Sequence, residues 1–202
     1  GVDFALTEEQ NAVFDMAHAF GQEQIAPQAR AWETMGTIPK DLWPKVADLG
    51  LGGIYVSEDQ GGSGLGRLDA TLIFEALAMA CPSVSAFLSI HNMCGGMIDK
   101  YGSEDTRARW LPDLCAMRKV YSYCLTEPGS GSDAAALSTT AERTNENYVM
   151  NGTKAFISGG SYSDAYIVMC RTGDKSPKGI SALVVEAGNQ GLSYGALEEK
   201  MG

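Results

Sequence analysis

A change of hydrophobic period near Arg118-Lys119 constrains the fold of this chain more than any other feature. Before it, apolar residues recur at helical spacing. Thr7-Glu8-Glu9-Gln10 is a capping-box start, in which the Thr7 hydroxyl accepts from an orphan amide while Gln10 reaches back. Val13, Met16, Ala17 and Phe20 then share one helical face. Pro27 predicts a further turn or a kink, and residues 40–49 a short helix closed by Gly50. Residues 69–80 and 83–99 are apolar nearly all round, which predicts central helices. Ser103, followed by Glu104 and Asp105, caps a helix running to about Met117, with its acids at the positive end of the dipole. Residues 57–66 hold too much glycine for helix or strand.

From Val120 the period becomes two. Residues 120–126, 137–143, 148–150, 153–158, 166–170 and 180–185 read as strands. Asn151-Gly152 predicts a tight hairpin turn, because both central residues of a type I′ turn need positive φ. Strands joined by short turns, without intervening helices, imply antiparallel pairing. The expected fold is therefore a multidomain α+β chain. An all-α domain spans residues 1–119, and an antiparallel β-sheet or barrel spans residues 120–202.

Composition narrows the function. A formal charge of −10 argues against a nucleic-acid partner, which needs basic patches to neutralise phosphates. No apolar run reaches the roughly 20 residues that span a bilayer. Gly1-Val2-Asp3-Phe4 has neither the basic start of a secretory signal nor the arginines of a transit peptide. Five cysteines (Cys81, Cys94, Cys115, Cys124, Cys170) with no C-x-x-C pair suit reduced, buried thiols better than disulfides or zinc. Only two histidines, His18 and His91, are present, and no metal site is expected.

The chemistry concentrates in Tyr123-Cys124-Leu125-Thr126-Glu127-Pro128-Gly129-Ser130-Gly131-Ser132-Asp133. A strand meets a proline that has no amide to give to a sheet. Glycines and hydroxyls follow, a turn whose amides can face an anion. Such an arrangement suits a flat ring on the strand with a phosphate at its end. The bland alternative is a plain β-turn after an edge strand. Gly129-x-Gly131-x-x-Ala134 formally meets a permissive dinucleotide fingerprint, but that fingerprint also needs a following helix and a parallel sheet, whereas residues 137–150 are threonine-rich and hairpin-like. Gly61 to Gly66 fails as well, since Arg67 and Asp69 stand where a third glycine is needed.

The run Tyr123 to Asp133 resembles the flavin-binding signature of the acyl-CoA dehydrogenases, and Lys154-Ala155-Phe156-Ile157-Ser158 resembles that family's second flavin segment. The likeness extends from Leu6-Thr7-Glu8-Glu9-Gln10 to Lys200-Met201-Gly202. Ser89-Ile90-His91-Asn92-Met93-Cys94 and Val168-Met169-Cys170-Arg171-Thr172-Gly173 are most similar to its isobutyryl-CoA dehydrogenase branch. The resemblance implies FAD as cofactor. Tyr123, Leu125 and Thr126 would lie against the isoalloxazine, and Gly131 and Ser132 would offer amides to the pyrophosphate. Ser132 would also reach the CoA portion of the substrate. Phe156, Ile157 and Ser158 would cover another part of the ring, with the Ser158 hydroxyl near N5. Many family members have tryptophan and threonine where Phe156 and Ser158 stand. Phenylalanine keeps the stacking face without the indole donor, and serine keeps the hydroxyl.

Phe87, Ile90, His91 and Cys94 would border the acyl-chain cavity. A His91–Cys94 nucleophile is disfavoured against a buried pocket-lining helix, because no orienting group is evident. Glu127 reads as part of the strand-terminating turn rather than as a base. The resemblance further implies a second helical domain after an incomplete middle domain, and that absent domain would carry the catalytic glutamate, so no residue here is named as the base. These 202 residues alone are expected to show negligible turnover. The implied partners are an acyl-CoA substrate, an electron-transfer flavoprotein and further copies of the chain in a homotetramer, in the bacterial cytoplasm or mitochondrial matrix. The competing readings are a non-catalytic truncated paralogue that binds a partner, and an acyl-CoA oxidase.

Overall fold

Thr7 opens the first helix through the capping box that its neighbours predict. Gln10 N donates to Thr7 Oγ1 at 3.2 Å, and Thr7 N donates to Gln10 Oε1 at 3.0 Å. The computed structural model describes residues 4–198; the Gly1-Val2-Asp3 start and the Lys200-Met201-Gly202 end of the family resemblance lie outside them. Helix α1 (Glu8–Phe20) runs through a π-helical turn (Gly21–Ile25) directly into α2 (Ala26–Met35). Pro27 lies in the first turn of α2, directly after the π-helical turn, where the bonding ladder is already shifted. Helix α3 (Leu42–Asp48) stops before Gly50, which adopts φ 75°. Helices α4 (Arg67–Ala78), α5 (Pro82–Tyr101) and α6 (Glu104–Cys115) follow, and Ser103 Oγ caps α6 by accepting from Thr106 N at 3.2 Å.

Helix α1 packs on α4, α4 on α5, and α5 on α6. Their core is built from fully buried Ile73, Leu77, Leu88, Leu111 and Leu114, with Trp43 from α3. The segment between α3 and α4 contains only a short 3₁₀ turn (Glu58–Gln60) and is held by side chains of α5. Ile54 N donates to Asn92 Oδ1 at 2.6 Å, Asn92 Nδ2 donates to Leu51 O at 2.9 Å, and Ser57 N donates to Asp99 Oδ2 at 2.9 Å. A buried amide side chain thus supplies the backbone partners that a glycine-rich loop cannot find in a ladder.

The chain divides into two compact units between Arg118 and Lys119. The second contains β1 (Tyr121–Cys124), β2 (Thr140–Thr144), β3 (Asn147–Asn151), β4 (Ala165–Arg171) and β5 (Ile180–Glu186). The described strands form an open, mixed sheet. Antiparallel pairing is found for β2–β3 and for β4–β5, but β1 runs parallel to β4, and β2 meets β4 in parallel at Thr140 and Arg171. The expected antiparallel sheet is therefore only partly right. Its premise was short connections throughout, whereas the whole 125–164 excursion intervenes between β1 and β4 and returns the chain to the starting end of β1.

Two local expectations also change. The hairpin turn is Asn145-Glu146, not Asn151-Gly152. Asn145 adopts φ 54°, a left-handed conformation that asparagine tolerates. Gly152 follows β3 and serves a close approach: an added Cβ would lie 2.3 Å from Thr139 Oγ1 and 2.7 Å from Thr139 Cα. Residues 153–158 form an irregular segment rather than a strand, because Phe156 at φ 55° cannot continue a pleated ladder.

Candidate functional site

Strand β1 carries Tyr123, whose register partner on β4 is Ile167, and delivers half-buried Leu125 and Thr126 just beyond its end. A β-turn comes next. Ser130 N donates to Glu127 O, and Glu127 N donates to Ser130 O, both at 3.0 Å, around Pro128-Gly129. Proline presets φ at the first corner, and Gly129 remains outside the left-handed region. The plain-turn reading is thus correct for the backbone of residues 127–130. It does not explain the glycines, since an added Cβ at Gly129 or Gly131 would meet no protein atom within 4 Å. Gly131 and Ser132 are exposed, and no described hydrogen bond uses their amides. Open amides beside uncrowded glycines form a surface that an outside anion can approach closely.

The second stretch is laced to β1 and to the residues just beyond it. Ala155 N donates to Thr126 O at 2.8 Å, and Lys154 Nζ donates to Leu125 O at 2.9 Å. Ser122 Oγ donates to Ser158 O and accepts from Ser163 Oγ at 2.6 Å. Phe156 projects from this junction with 76% of its surface exposed, from a backbone conformation unfavourable for a bulky side chain. Ile157 turns instead toward Cys124, Tyr166 and Val168 and packs on them. Ser158 is half-buried. The two sequence-predicted stretches thus form one platform with an exposed aromatic face at one end and unengaged amides at the other.

A buried ion pair underlies the platform, and sequence reasoning gave it no role. Glu127 is 5% exposed, and its carboxylate accepts from Ser138 N at 2.6 Å, Ser138 Oγ at 2.7 Å, Thr139 N at 2.9 Å, Thr139 Oγ1, and Lys154 Nζ at 2.8 Å. Burial alone would raise the Glu127 carboxyl, but the Lys154 ammonium and the Thr139 and Ser138 donors outweigh it and hold the group well below the usual carboxylate range. A carboxylate engaged in this way is no general base. Glutamate and lysine each stood inside a matched motif, so the signal was present, but nothing in the spacing says that they meet. Burial pushes the nearby Cys124 thiol up to about 12 against a smaller opposing pull from Lys154, so this thiol stays protonated.

The four residues expected to border an acyl cavity lie on α5, in the helical unit. Phe87 is buried with its ring centroid 5.1 Å from that of Trp43, Cys94 is buried, and Ile90 is half-buried. His91 is fully buried, with Nε2 3.1 Å from both Gly52 O and Leu114 O. Two carbonyl acceptors fix the proton on Nε2, and burial lowers the imidazole to about 4 despite those bonds. Neutral His91 acts here as a bracket between α5, α6 and the 51–54 segment. Among the described residues, no cluster of His, Cys, Asp and Glu is arranged to hold a metal ion, and no helix is long and apolar enough to cross a membrane.

Comparison with known proteins agrees with this division. The family description "Acyl-CoA dehydrogenase, N-terminal domain" matches residues 7–118, and "Acyl-CoA dehydrogenase, middle domain" matches residues 122–202. Mitochondrial isobutyryl-CoA dehydrogenase of Dictyostelium discoideum is 56% identical over 198 residues, covering 98% of this chain and 48% of that protein. Butyryl-CoA dehydrogenase from Megasphaera elsdenii superposes with a TM-score of 0.89 at 34% identity, covering 100% of this chain and 54% of that one. The FAD complex of PigA superposes with a TM-score of 0.91 at 30% identity, covering 98% and 53%. The chain spans about half the length of the curated relatives it matches. It belongs to the acyl-CoA dehydrogenase family.

Proposed function

We propose that residues 123–132 and 156–158 hold the ring and pyrophosphate of FAD, and that the whole protein dehydrogenates a short branched-chain acyl-CoA, such as isobutyryl-CoA, to its 2-enoyl-CoA. The observation that carries this reading is the lacing of the two stretches into one platform. The residues fit the cofactor. Phe156 offers a flat apolar face that nothing described covers, Tyr123, Leu125 and Thr126 line the adjoining strand end, and exposed Gly131 and Ser132 have amides that no described hydrogen bond uses, as a phosphate site needs. Bound FAD supplies the hydride acceptor, while the protein contributes orientation and exclusion of water. Ser158, anchored through its carbonyl, keeps its hydroxyl for the ring edge. Ser132 extends toward the CoA portion of the substrate. Phe87, Ile90, His91 and Cys94 shape the acyl-chain preference through the packing of α5. We place the protein in a mitochondrial matrix or bacterial cytoplasm, as a homotetramer that passes electrons to an electron-transfer flavoprotein.

The test is turnover by the full-length protein. Purified protein should be yellow and should reduce an artificial electron acceptor faster with isobutyryl-CoA than with 2-methylbutyryl- or butyryl-CoA. Preparations saturated with FAD that never retain flavin would overturn the cofactor reading. Release of hydrogen peroxide in step with turnover would make the protein an oxidase instead.

A further inference from the structure

The platform's two stretches are not joined by sheet pairing. Strand β1 pairs with β4, and residues 153–158 belong to no strand, so a single backbone bond, Ala155 N to Thr126 O, crosses directly between them. Their spacing is set by side chains. Lys154 lies two residues before Phe156, and its ammonium reaches both Leu125 O at 2.9 Å and Glu127 Oε1 at 2.8 Å. Glu127 in turn clamps Ser138 and Thr139, and Gly152 packs against Thr139 too closely for a Cβ. The pair is nearly dry, with side-chain exposures of 10% for Lys154 and 3% for Glu127. A lysine suits this place because its compact ammonium can point separate donors at the Leu125 carbonyl and the Glu127 carboxylate.

We propose that Glu127 and Lys154 are positioning residues for the flavin platform: their contact fixes Phe156 and Ser158 against Tyr123, Leu125 and Thr126, and thereby sets how tightly and in what surroundings the isoalloxazine is held. This deepens the proposed function and rests on it. Neither side chain needs to touch the cofactor. The serine pair Ser122–Ser163 anchors the far end of the same segment, so loss of Lys154 frees the near end, at Ala155 and Phe156, first.

The experiment uses full-length protein carrying Lys154→Met, Lys154→Arg or Glu127→Gln, each checked for folding by circular dichroism. Three quantities are read: the FAD dissociation constant of the apoprotein, the visible bands of bound flavin, and hydrogen exchange across residues 153–158. For Lys154→Met we expect an FAD dissociation constant weakened about tenfold or more, shifted flavin bands and faster exchange at 153–158. Glu127→Gln should follow in the same direction, and Lys154→Arg should recover part of the loss. A purely structural pair would lower the thermal midpoint alone; folded Lys154→Met protein with wild-type FAD affinity and an unshifted spectrum overturns the proposal. Should Lys154→Met not fold, Thr139→Val decides, because it removes one donor to Glu127 and leaves the lysine in place. A shifted spectrum supports the proposal, and an unshifted one overturns it. Wild-type protein that takes up no FAD defeats the proposed function instead, and exchange at 153–158 then still tells whether Lys154 positions that segment.

Discussion

Phe156 combines two properties that a residue selected only for folding would not. It exposes most of an aromatic ring, and it adopts a left-handed φ of 55°. That conformation costs a non-glycine residue about 1–2 kcal/mol, while glycine loses about 0.5–1 kcal/mol through unfolded-state freedom. Phe156→Gly should therefore leave thermal stability of the apoprotein unchanged or slightly raised, yet weaken FAD binding; paired melting curves and FAD titrations check both halves. His91 gives a second test. Its folded pKa of about 4 lies below the ordinary histidine value of 6.5, so the unfolded chain binds more protons between these limits. The stability this confers is complete above pH 6.5 and falls away as pH drops toward 4, by on the order of 3 kcal/mol. Urea unfolding at pH 7 and pH 5 should show this loss, and His91→Gln should reduce it. A wild-type stability that is flat over this range would contradict the buried neutral imidazole.

At the scale of elements, the region between β3 and β4 matters most. Gly152 lets the chain pass against Thr139, and a methyl group there meets backbone as well as a side chain. We expect Gly152→Ala to destabilise the protein by about 2 kcal/mol, measured by urea unfolding, and to loosen Thr139 from Glu127. This is also where the sequence was least legible. Residues 153–158 read as a strand in the sequence, but Phe156 turns through a left-handed φ and Ile157 packs inward from a loop, which no local signal records. Asn151-Gly152 carries a strong turn signal, yet the chain turns at Asn145-Glu146 and uses the glycine for proximity. Helix starts were readable because their signals are local. Thr7 and Ser103 cap from within three residues of the amides they satisfy.

Across the whole molecule, the shift from helical to two-residue period is encoded residue by residue, so the order of a helical unit followed by a sheet unit could be read directly. Parallel pairing of β1 with β4 could not, because a strand's own residues carry no record of which distant strand it joins. The Glu127–Lys154 contact was hidden for the same reason. The flavin stretches were legible only as motifs, and their meeting is a product of the fold. Peptide-level hydrogen exchange on the full-length protein, with and without saturating FAD, measures that meeting most directly. FAD should slow exchange together in 123–132 and in 153–158, while the β2–β3 turn at Asn145-Glu146 exchanges unchanged. Bound FAD that leaves both stretches unprotected, or protects one without the other, would contradict a shared platform.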